Sequence, residues 1–119
     1  MRIAFFSSKP YDEEYFETHN TAYGFEFVYF ETALNPKTTH LTKGFDAICI
    51  FVNDVIDRNM MPHLSKNGIL LITLRCAGFN NVDLEAAKAN QISVARVPAY
   101  SPESIAEHTL ALILTLNRK

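Results

Sequence analysis

Short apolar runs recur along the chain and are separated by polar or amphipathic segments. They occupy residues 2–7, 25–30, 46–52, 69–74 and 92–97, and they are rich in aromatic and β-branched side chains. A run that is apolar at nearly every position is typical of a strand covered on both faces, as in a parallel sheet. The pattern therefore predicts five buried strands.

The segments between these runs have the character of helices. Helical patterns occupy residues 10–24, 57–66, 83–90 and 102–117, and residues 32–44 read as a loop with one or two weak helical turns. Strand and helix thus alternate along the whole chain. This order predicts an α/β fold: a flavodoxin-like, doubly wound, parallel five-stranded sheet with helices on both faces and a long C-terminal helix.

The start of the last helix is well marked. Ser101 is predicted to be its N-cap, Pro102 its first residue, and Glu103 lies near the positive end of the helix dipole. Tyr100 precedes the cap, where its phenol either closes over a ligand or packs on the helix as a staple. The helix itself is apolar nearly all round, so we expect it to be covered on two sides.

Composition and charge exclude several classes of function. The 119 residues are enough for one domain, and 48% hydrophobic with 20% charged residues is ordinary for a globular protein. A net charge of -2 with scattered lysines and arginines argues against nucleic acid or an anionic membrane as partner. No apolar run is long enough for a membrane helix or a secretory signal, so a cytoplasmic protein is expected.

Cysteine and histidine give no sign of a metal site. Cys49 and Cys76 form no CxxC pair and are predicted to be reduced, packed thiols. The four histidines lack metal-ligand spacing and are interpreted as structural or solvated; they are His19, His40, His63 and His108. No metal is predicted.

A site for a nucleotide cofactor is also missing from the sequence. The glycines lie at positions 24, 44, 68 and 78, too far apart for GxGxxG or a P-loop. A phosphorylated receiver domain is a second possibility for this fold, because Asp54 follows the third strand. That class needs an acidic pair after the first strand, where this chain has Ser7 and Ser8, so we consider it unsupported.

The loop after the fourth strand is the best candidate for a ligand site. Gly78 allows backbone N–H groups to turn toward one point, and the small Ala77 leaves room for an anion to approach. Asn80, Asn81 and Asp83 can brace the loop through bonds to the backbone, and Asp83 can also cap the following helix. The alternative is a simple strand-to-helix turn that requires glycine.

Three stretches, "RCAGFNNVDLEAAK", "AICIFVND" and "RVPAYSPESIAEHTLALILTLNRK", together resemble the NAD-dependent D-2-hydroxyacid dehydrogenases, and the lactate branch of that family above all. The resemblance covers nearly the whole chain. It implies a discontinuous flavodoxin-like catalytic domain with an inserted Rossmann domain that binds NAD. Residues 1–101 would be a substrate-binding segment, and residues 102–119 a linking helix toward a Rossmann domain absent from this sequence.

The resemblance also implies roles for particular residues. Backbone N–H groups of Ala77 and Gly78 would hold the substrate carboxylate, and Tyr100 would close the pocket. Phe51 takes the place of a pocket aromatic that is tyrosine in some members, so a hydroxyl contact would be lost. Arg75 would brace the loop with the asparagines rather than reach the substrate.

The arginine, glutamate and histidine that carry catalysis in the family would lie beyond Lys119. We therefore expect no catalytic or cofactor-binding residue in this chain and no activity from it alone, as for a truncated gene product or a domain expressed by itself. In the complete enzyme the reaction would be NAD-dependent reduction of pyruvate to D-lactate. Partners would be a small 2-oxo or 2-hydroxy acid, and either a second copy bound through the last helix or a separate Rossmann half. The alternative is a non-catalytic module that binds a small carboxylate or a partner.

Overall fold

Five parallel strands form one sheet in the computed structural model, which describes residues 1–76, 80–97 and 101–117. The strands are β1 (Arg2–Phe5), β2 (Glu26–Tyr29), β3 (Ala47–Ile50), β4 (Leu71–Leu74) and β5 (Ser93–Arg96). The helices are α1 (Pro10–Asn20), α2 (Met61–Asn67), α3 (Leu84–Ala89) and α4 (Pro102–Asn117), with a 3-10 turn at Thr39–Thr42. The spatial order β2-β1-β3-β4-β5 confirms the predicted doubly wound α/β fold.

The three inner strands, β1, β3 and β4, are buried on both faces apart from Arg2, which explains their continuous apolar runs. The edge strands β2 and β5 are only partly buried, so the prediction of five buried strands is wrong for these two. Along β3, Ile48 and Ile50 face the side covered by α2 and α3, whereas Ala47 and Cys49 face α1 and α4. Burial of each large apolar side chain stabilises the fold by roughly 1.5–3 kcal/mol. The side chains that complete the second face are Ile3, Phe5, Phe16, Leu71, Ala106, Leu110 and Ile113.

Helix α1 ends four residues before the predicted Gly24. The side chain of Asn20 donates to the carbonyl oxygen of Phe25 at 2.6 Å and accepts from the Phe25 amide at 3.0 Å. These two bonds turn the chain toward β2, so α1 ends at Asn20 rather than at Gly24. Gly24, at φ +71°, supplies the left-handed conformation of that turn.

Helix α2 begins later than predicted because an aspartate organises the preceding turn. Asp57 Oδ1 accepts from the amides of Asn59 at 2.9 Å and Met60 at 3.0 Å, and the helix starts only at Met61. Gly68 ends the helix at φ +105°, and an added Cβ there would lie 3.3 Å from the carbonyl oxygen of Phe45.

Both predicted side-chain caps are present. Asp83 Oδ1 accepts from the Ala86 amide at 3.0 Å, and Ser101 Oγ accepts from the Ser104 amide at 3.3 Å. The caps fix the points at which α3 and α4 leave the carboxyl edge of the sheet.

Helix α4 buries one face against α1 and the sheet. Ala106, Thr109, Leu110 and Ile113 are fully buried there. A second stripe is half-buried and consists of Ile105, Leu112 and Leu116. The remaining face is exposed and carries Glu107, His108, Ala111 and Thr115. The helix therefore has a mainly polar side, although most of its residues are apolar. That another domain or chain covers a second side of α4 remains a prediction.

Among the helices in the described ranges, none has the length and hydrophobicity to cross a membrane.

Candidate ligand site at the carboxyl edge of the sheet

The loops that leave β1, β2, β3 and β4 meet at one edge of the sheet, because all the strands are parallel. At the centre of this edge lies Asp54, whose side chain is completely buried. Its Oδ1 accepts from Ser7 Oγ at 2.8 Å and from the Leu34 amide at 2.7 Å, and its Oδ2 accepts from the Phe51 amide at 2.7 Å. One carboxyl group therefore joins three separate loops.

Asn81 connects the loop after β4 to the same cluster. Its Nδ2 donates to the carbonyl oxygens of Phe51 at 3.1 Å and Asp54 at 3.0 Å. Its own carbonyl oxygen accepts from the Ile56 amide at 2.8 Å, and Ile56 pairs with Val82 in a parallel bridge. Asn81 thus fixes the chain on the helix side of residues 77–79.

Ser7 adopts a conformation that few residues other than glycine tolerate. Its φ is +54°, and it lies directly after β1 and Phe6. The Ser7 amide donates to the carbonyl oxygen of Thr32 at 2.9 Å, and its hydroxyl donates to Asp54. These bonds hold a backbone geometry that costs of order 1–3 kcal/mol by itself.

Arg75 lies beneath the edge, with 3% of its surface exposed. Its Nη1 is 3.4 Å from Asp12 Oδ2, and its Nη2 donates to the carbonyl oxygen of Phe6. The guanidinium carbon lies 4.0 Å from the centroid of the Phe5 ring and 5.3 Å from that of Phe51. A buried cation therefore lies under Phe51 and connects the end of β4 to α1.

The buried thiol of Cys49 lies on the α1 side of the sheet, close to Arg75. Burial raises the pKa of Cys49 above its ordinary value, and the positive charge of Arg75 partly opposes this rise. Cys49 and Cys76 are both buried, as predicted for packed thiols. Within the described part of the chain, no three His, Cys, Asp or Glu side chains come together in a way that could hold a metal ion.

The histidines lie away from this cluster. His40 and His63 line a cavity of about 530 Å³ between the 3-10 turn and α2, together with Lys43 and Asp57. His19 Nε2 lies 3.7 Å from Glu103 Oε1, which brings α1 close to the start of α4. A second cavity, of about 600 Å³, is lined by Ser8, Lys9, Pro10, Glu13, Tyr29, Phe30, Glu31 and Thr32.

The structure brings together some of the residues predicted from the sequence. Phe51, Arg75 and Asn81 share the carboxyl edge, whereas Asp83 caps α3 and Asn80 is exposed. Three of the four predicted substrate contacts lie outside the described residues; they are Ala77, Gly78 and Tyr100. Their roles stay predictions.

Asp54, Ser7 and Asp12 are the residues that sequence reasoning did not assign to the site. The sequence suggests a role for Asp54 only as a possible phosphorylation site, and its complete burial offers no accessible carboxyl group for that chemistry. The available signal was its place: a single acidic residue four positions after the end of a buried strand, in "FVNDV". Such a position favours a carboxyl group that receives backbone donors.

Comparison with known proteins places this geometry in a family. The sequence model of "D-isomer specific 2-hydroxyacid dehydrogenase, catalytic domain" matches residues 3–116. Over all 119 residues the chain is 56% identical to "2-hydroxyacid dehydrogenase homolog 1" of Schizosaccharomyces pombe and 48% identical to D-lactate dehydrogenase of Escherichia coli. It spans 36% of the length of each of these two relatives.

Solved structures give the same result. The apo-structure of E. coli D-lactate dehydrogenase superposes with a TM-score of 0.81 at 48% identity, over 99% of this chain and 37% of that one. D-lactate dehydrogenase of Lactobacillus jensenii, solved with NAD⁺, superposes with a TM-score of 0.74 at 28% identity, over 99% of this chain and 36% of that one. The chain therefore belongs to the D-isomer specific 2-hydroxyacid dehydrogenase family and carries the fold of its catalytic domain.

Proposed function

We propose that this chain is the substrate-binding segment of a D-lactate dehydrogenase, which in its complete form reduces pyruvate to D-lactate with NADH. The observation that carries the proposal is the match to E. coli D-lactate dehydrogenase, which extends over every residue of the chain. Pyruvate is a small anion, and the carboxyl edge of a parallel sheet is where this class of fold binds ligands.

In this proposal the substrate carboxylate accepts from the backbone N–H groups of Ala77 and Gly78. Phe51 and Tyr100 form the apolar walls around the methyl and carbonyl carbons of pyruvate. Support comes from the two flanks of the loop: the Arg75 amide donates to the carbonyl oxygen of Ile50 at 2.8 Å, and Asn81 Nδ2 donates to the carbonyl oxygen of Phe51, in the loop after β3, at 3.1 Å. Fixed flanks reduce the ordering cost that a loop pays when it binds an anion.

The buried guanidinium of Arg75 contributes charge rather than contact. It lies 5.3 Å from the Phe51 ring and is engaged with Asp12 and the carbonyl oxygen of Phe6. Its position under the edge favours an anion above it, although Asp12 offsets much of its field. We assign it, with Asn80, Asn81 and Asp83, to support of the loop.

NAD does not fit the residues of this chain. A dinucleotide needs a glycine-rich turn at a helix N-terminus for its phosphates, and the glycines here are isolated in the sequence. We therefore assign NAD to the complete enzyme and no cofactor contact to this chain. The catalytic arginine, glutamate and histidine are assigned to the complete enzyme as well.

Two partners follow from the same proposal, in addition to the 2-oxo acid. One is a second copy of the chain that pairs along α4, whose half-buried stripe of Ile105, Leu112 and Leu116 is available for further cover. The other is a separate Rossmann half. The proposed location is the cytoplasm, as expected from the sequence.

A chimaera tests the proposed function. The chain replaces the matching segment of E. coli D-lactate dehydrogenase, and NADH oxidation is followed with pyruvate and with larger 2-oxo acids. We expect pyruvate to be the preferred substrate. A folded chimaera that binds NADH and reduces only larger 2-oxo acids would show that the lactate assignment is wrong. One that reduces no 2-oxo acid would favour the non-catalytic binding module.

A further inference from the structure

We propose that Asp54 is a positioning residue for the substrate site and acts through Phe51. The proposal rests on the proposed function, because it takes Phe51 to be a wall of the 2-oxo acid pocket. Asp54 does not touch substrate in this account. It sets the place of the aromatic ring that does, and Asn81 assists it.

The first step concerns the backbone of Phe51, which is held at both polar groups. Its N–H donates to Asp54 Oδ2 at 2.7 Å, and its carbonyl oxygen accepts from Asn81 Nδ2 at 3.1 Å and from the Asp54 amide at 3.0 Å. A residue just beyond a strand end is ordinarily free to shift with its loop. Here the backbone is fixed, and the half-buried ring rests near the Arg75 guanidinium.

The second step concerns the carboxyl group, whose two oxygens receive three donors. Oδ1 receives Ser7 Oγ and the Leu34 amide, and Oδ2 receives the Phe51 amide. An amide in the place of the carboxyl has one oxygen and one NH₂ group. If the amide oxygen introduced by Asp54→Asn takes the place of Oδ1, its NH₂ group faces the Phe51 amide, and the bond to Phe51 is lost. If the oxygen takes the place of Oδ2, the NH₂ group faces the Leu34 amide, and that bond is lost instead.

The third step distinguishes positioning from mere stability. Complete burial of a carboxyl group is costly, and well-packed apolar residues often stabilise such a position as well or better. A polar group with three directed bonds instead specifies where three loops lie relative to one another. Because Phe51 is proposed to form a wall of the pocket, a shift of its ring removes packing against bound pyruvate, and packing of one small group is worth roughly tenfold or more in binding.

The experiment uses the chimaera with E. coli D-lactate dehydrogenase and the variants Asp54→Asn and Asn81→Ala. For Asp54→Asn we expect the KM for pyruvate to rise roughly tenfold or more, with the KM for NADH changed less than about twofold. Asn81→Ala, which removes one of the two bonds to the Phe51 carbonyl oxygen, should shift the KM for pyruvate in the same direction by less. Asp57→Asn is the matched control: it alters the turn before α2 and should leave both KM values unchanged.

A lower melting temperature of Asp54→Asn with an unchanged KM for pyruvate would overturn the proposal, because the role would then be structural only. Where Asp54→Asn does not fold, Asn81→Ala decides: an unchanged KM for pyruvate overturns the proposal, and a raised one supports it. A folded parent chimaera without 2-oxo acid reductase activity refutes the proposed function, and with it the positioning role. The 2-oxo acid reductase activity of the parent chimaera is therefore measured before any variant is made.

Discussion

Arg75 and Asp12, which are 63 positions apart in the chain, meet inside the protein, with Nη1 of the arginine 3.4 Å from Oδ2 of the aspartate. Both residues are buried, at 3% and 8% exposure. Asp12 Oδ2 also accepts from the Lys9 amide at 2.9 Å in the first turn of α1. One ion pair therefore ties the end of β4 to the start of α1, beneath the candidate site.

Replacing Arg75 by methionine should lower the free energy of unfolding by about 3–5 kcal/mol, because Asp12 would remain as a buried charge without its cation. Urea unfolding followed by circular dichroism measures the change. Arg2→Met is the matched control: its ion pair with Glu26 is largely exposed, so a loss below about 1 kcal/mol is expected. Equal losses in the two variants would contradict a special role for the buried pair.

Stability should fall at alkaline pH through Tyr29. Burial raises its pKa above the ordinary value of 10.0, and the hydrogen bond to Glu17 adds to the rise. Above about pH 10 the unfolded chain therefore loses a proton that the folded chain retains, so the free energy of unfolding decreases as pH increases. In Tyr29→Phe this decrease should be smaller between pH 9 and 11. At pH 7 Tyr29 is protonated in both the folded and the unfolded chain, so unfolding at this pH serves as the internal control.

The chain alone should bind a small carboxylate weakly. Hydrogen bonds from the Ala77 and Gly78 amides to a charged group contribute roughly 1.5–3 kcal/mol each, and the cost of immobilising the ligand and its loop offsets part of this sum, which leaves a Kd of about millimolar or weaker. Oxamate added to ¹⁵N-labelled protein should shift amide signals of residues 75–80 and Tyr100. The uncharged amide of the same acid is the control ligand and should shift none. Shifts confined to other regions would place the site elsewhere.

No hydride transfer is expected from the 119 residues by themselves. Reduction of a 2-oxo acid requires a held nicotinamide, a proton donor and a cation at the carbonyl group. His108 lies on the exposed face of α4 and Arg75 is buried beneath the edge, so neither is placed to serve. NADH oxidation with pyruvate should match the rate without protein. Activity that disappears in the variant Gly78→Ala or Tyr100→Phe would refute this expectation.

Association through α4 is expected at concentrations of tens of micromolar. The helix has a half-buried apolar stripe beside its fully buried face, and further cover of that stripe favours a dimer. Light scattering after gel filtration should give twice the monomer mass. Leu112→Glu should shift the protein to monomer, whereas Thr115→Glu on the exposed face should not. A wild-type monomer with α4 protected from hydrogen exchange would contradict the prediction.

The fold could be predicted from the sequence because its signals are local. Each strand is a run such as "AICI", whose composition and lack of alternation are visible in a few neighbouring residues. The caps at Asp83 and Ser101 are likewise decided within one helical turn. Helix ends differed where a side chain bonds to backbone groups of the adjoining turn: Asn20 binds Phe25 and ends α1 before Gly24, and Asp57 binds Asn59 and Met60 and delays the start of α2.

The polar cluster at the carboxyl edge could not be predicted in the same way. Ser7 and Asp54 are 47 positions apart, and Leu34 and Asp54 are 20 apart, so no short motif contains these pairs. Two of the three donors are backbone amides, which every residue but proline possesses. Their convergence depends on the lateral order of the strands, and that order follows from packing over the whole sheet.

The bond between Ser7 and Asp54 has a consequence for where a ligand can enter. The strand order reverses direction between β1 and β3, and folds of this type ordinarily open a crevice at such a topological switch point. Here a hydroxyl–carboxyl bond of 2.8 Å spans that crevice from one loop to the other. The bond therefore closes the switch point at this depth. Asn81 Nδ2 joins the next pair of loops in the same way, because it donates from the loop after β4 to the carbonyl oxygens of Phe51 and Asp54 after β3. We therefore expect a ligand at this edge to bind above these bonds rather than between the strand ends.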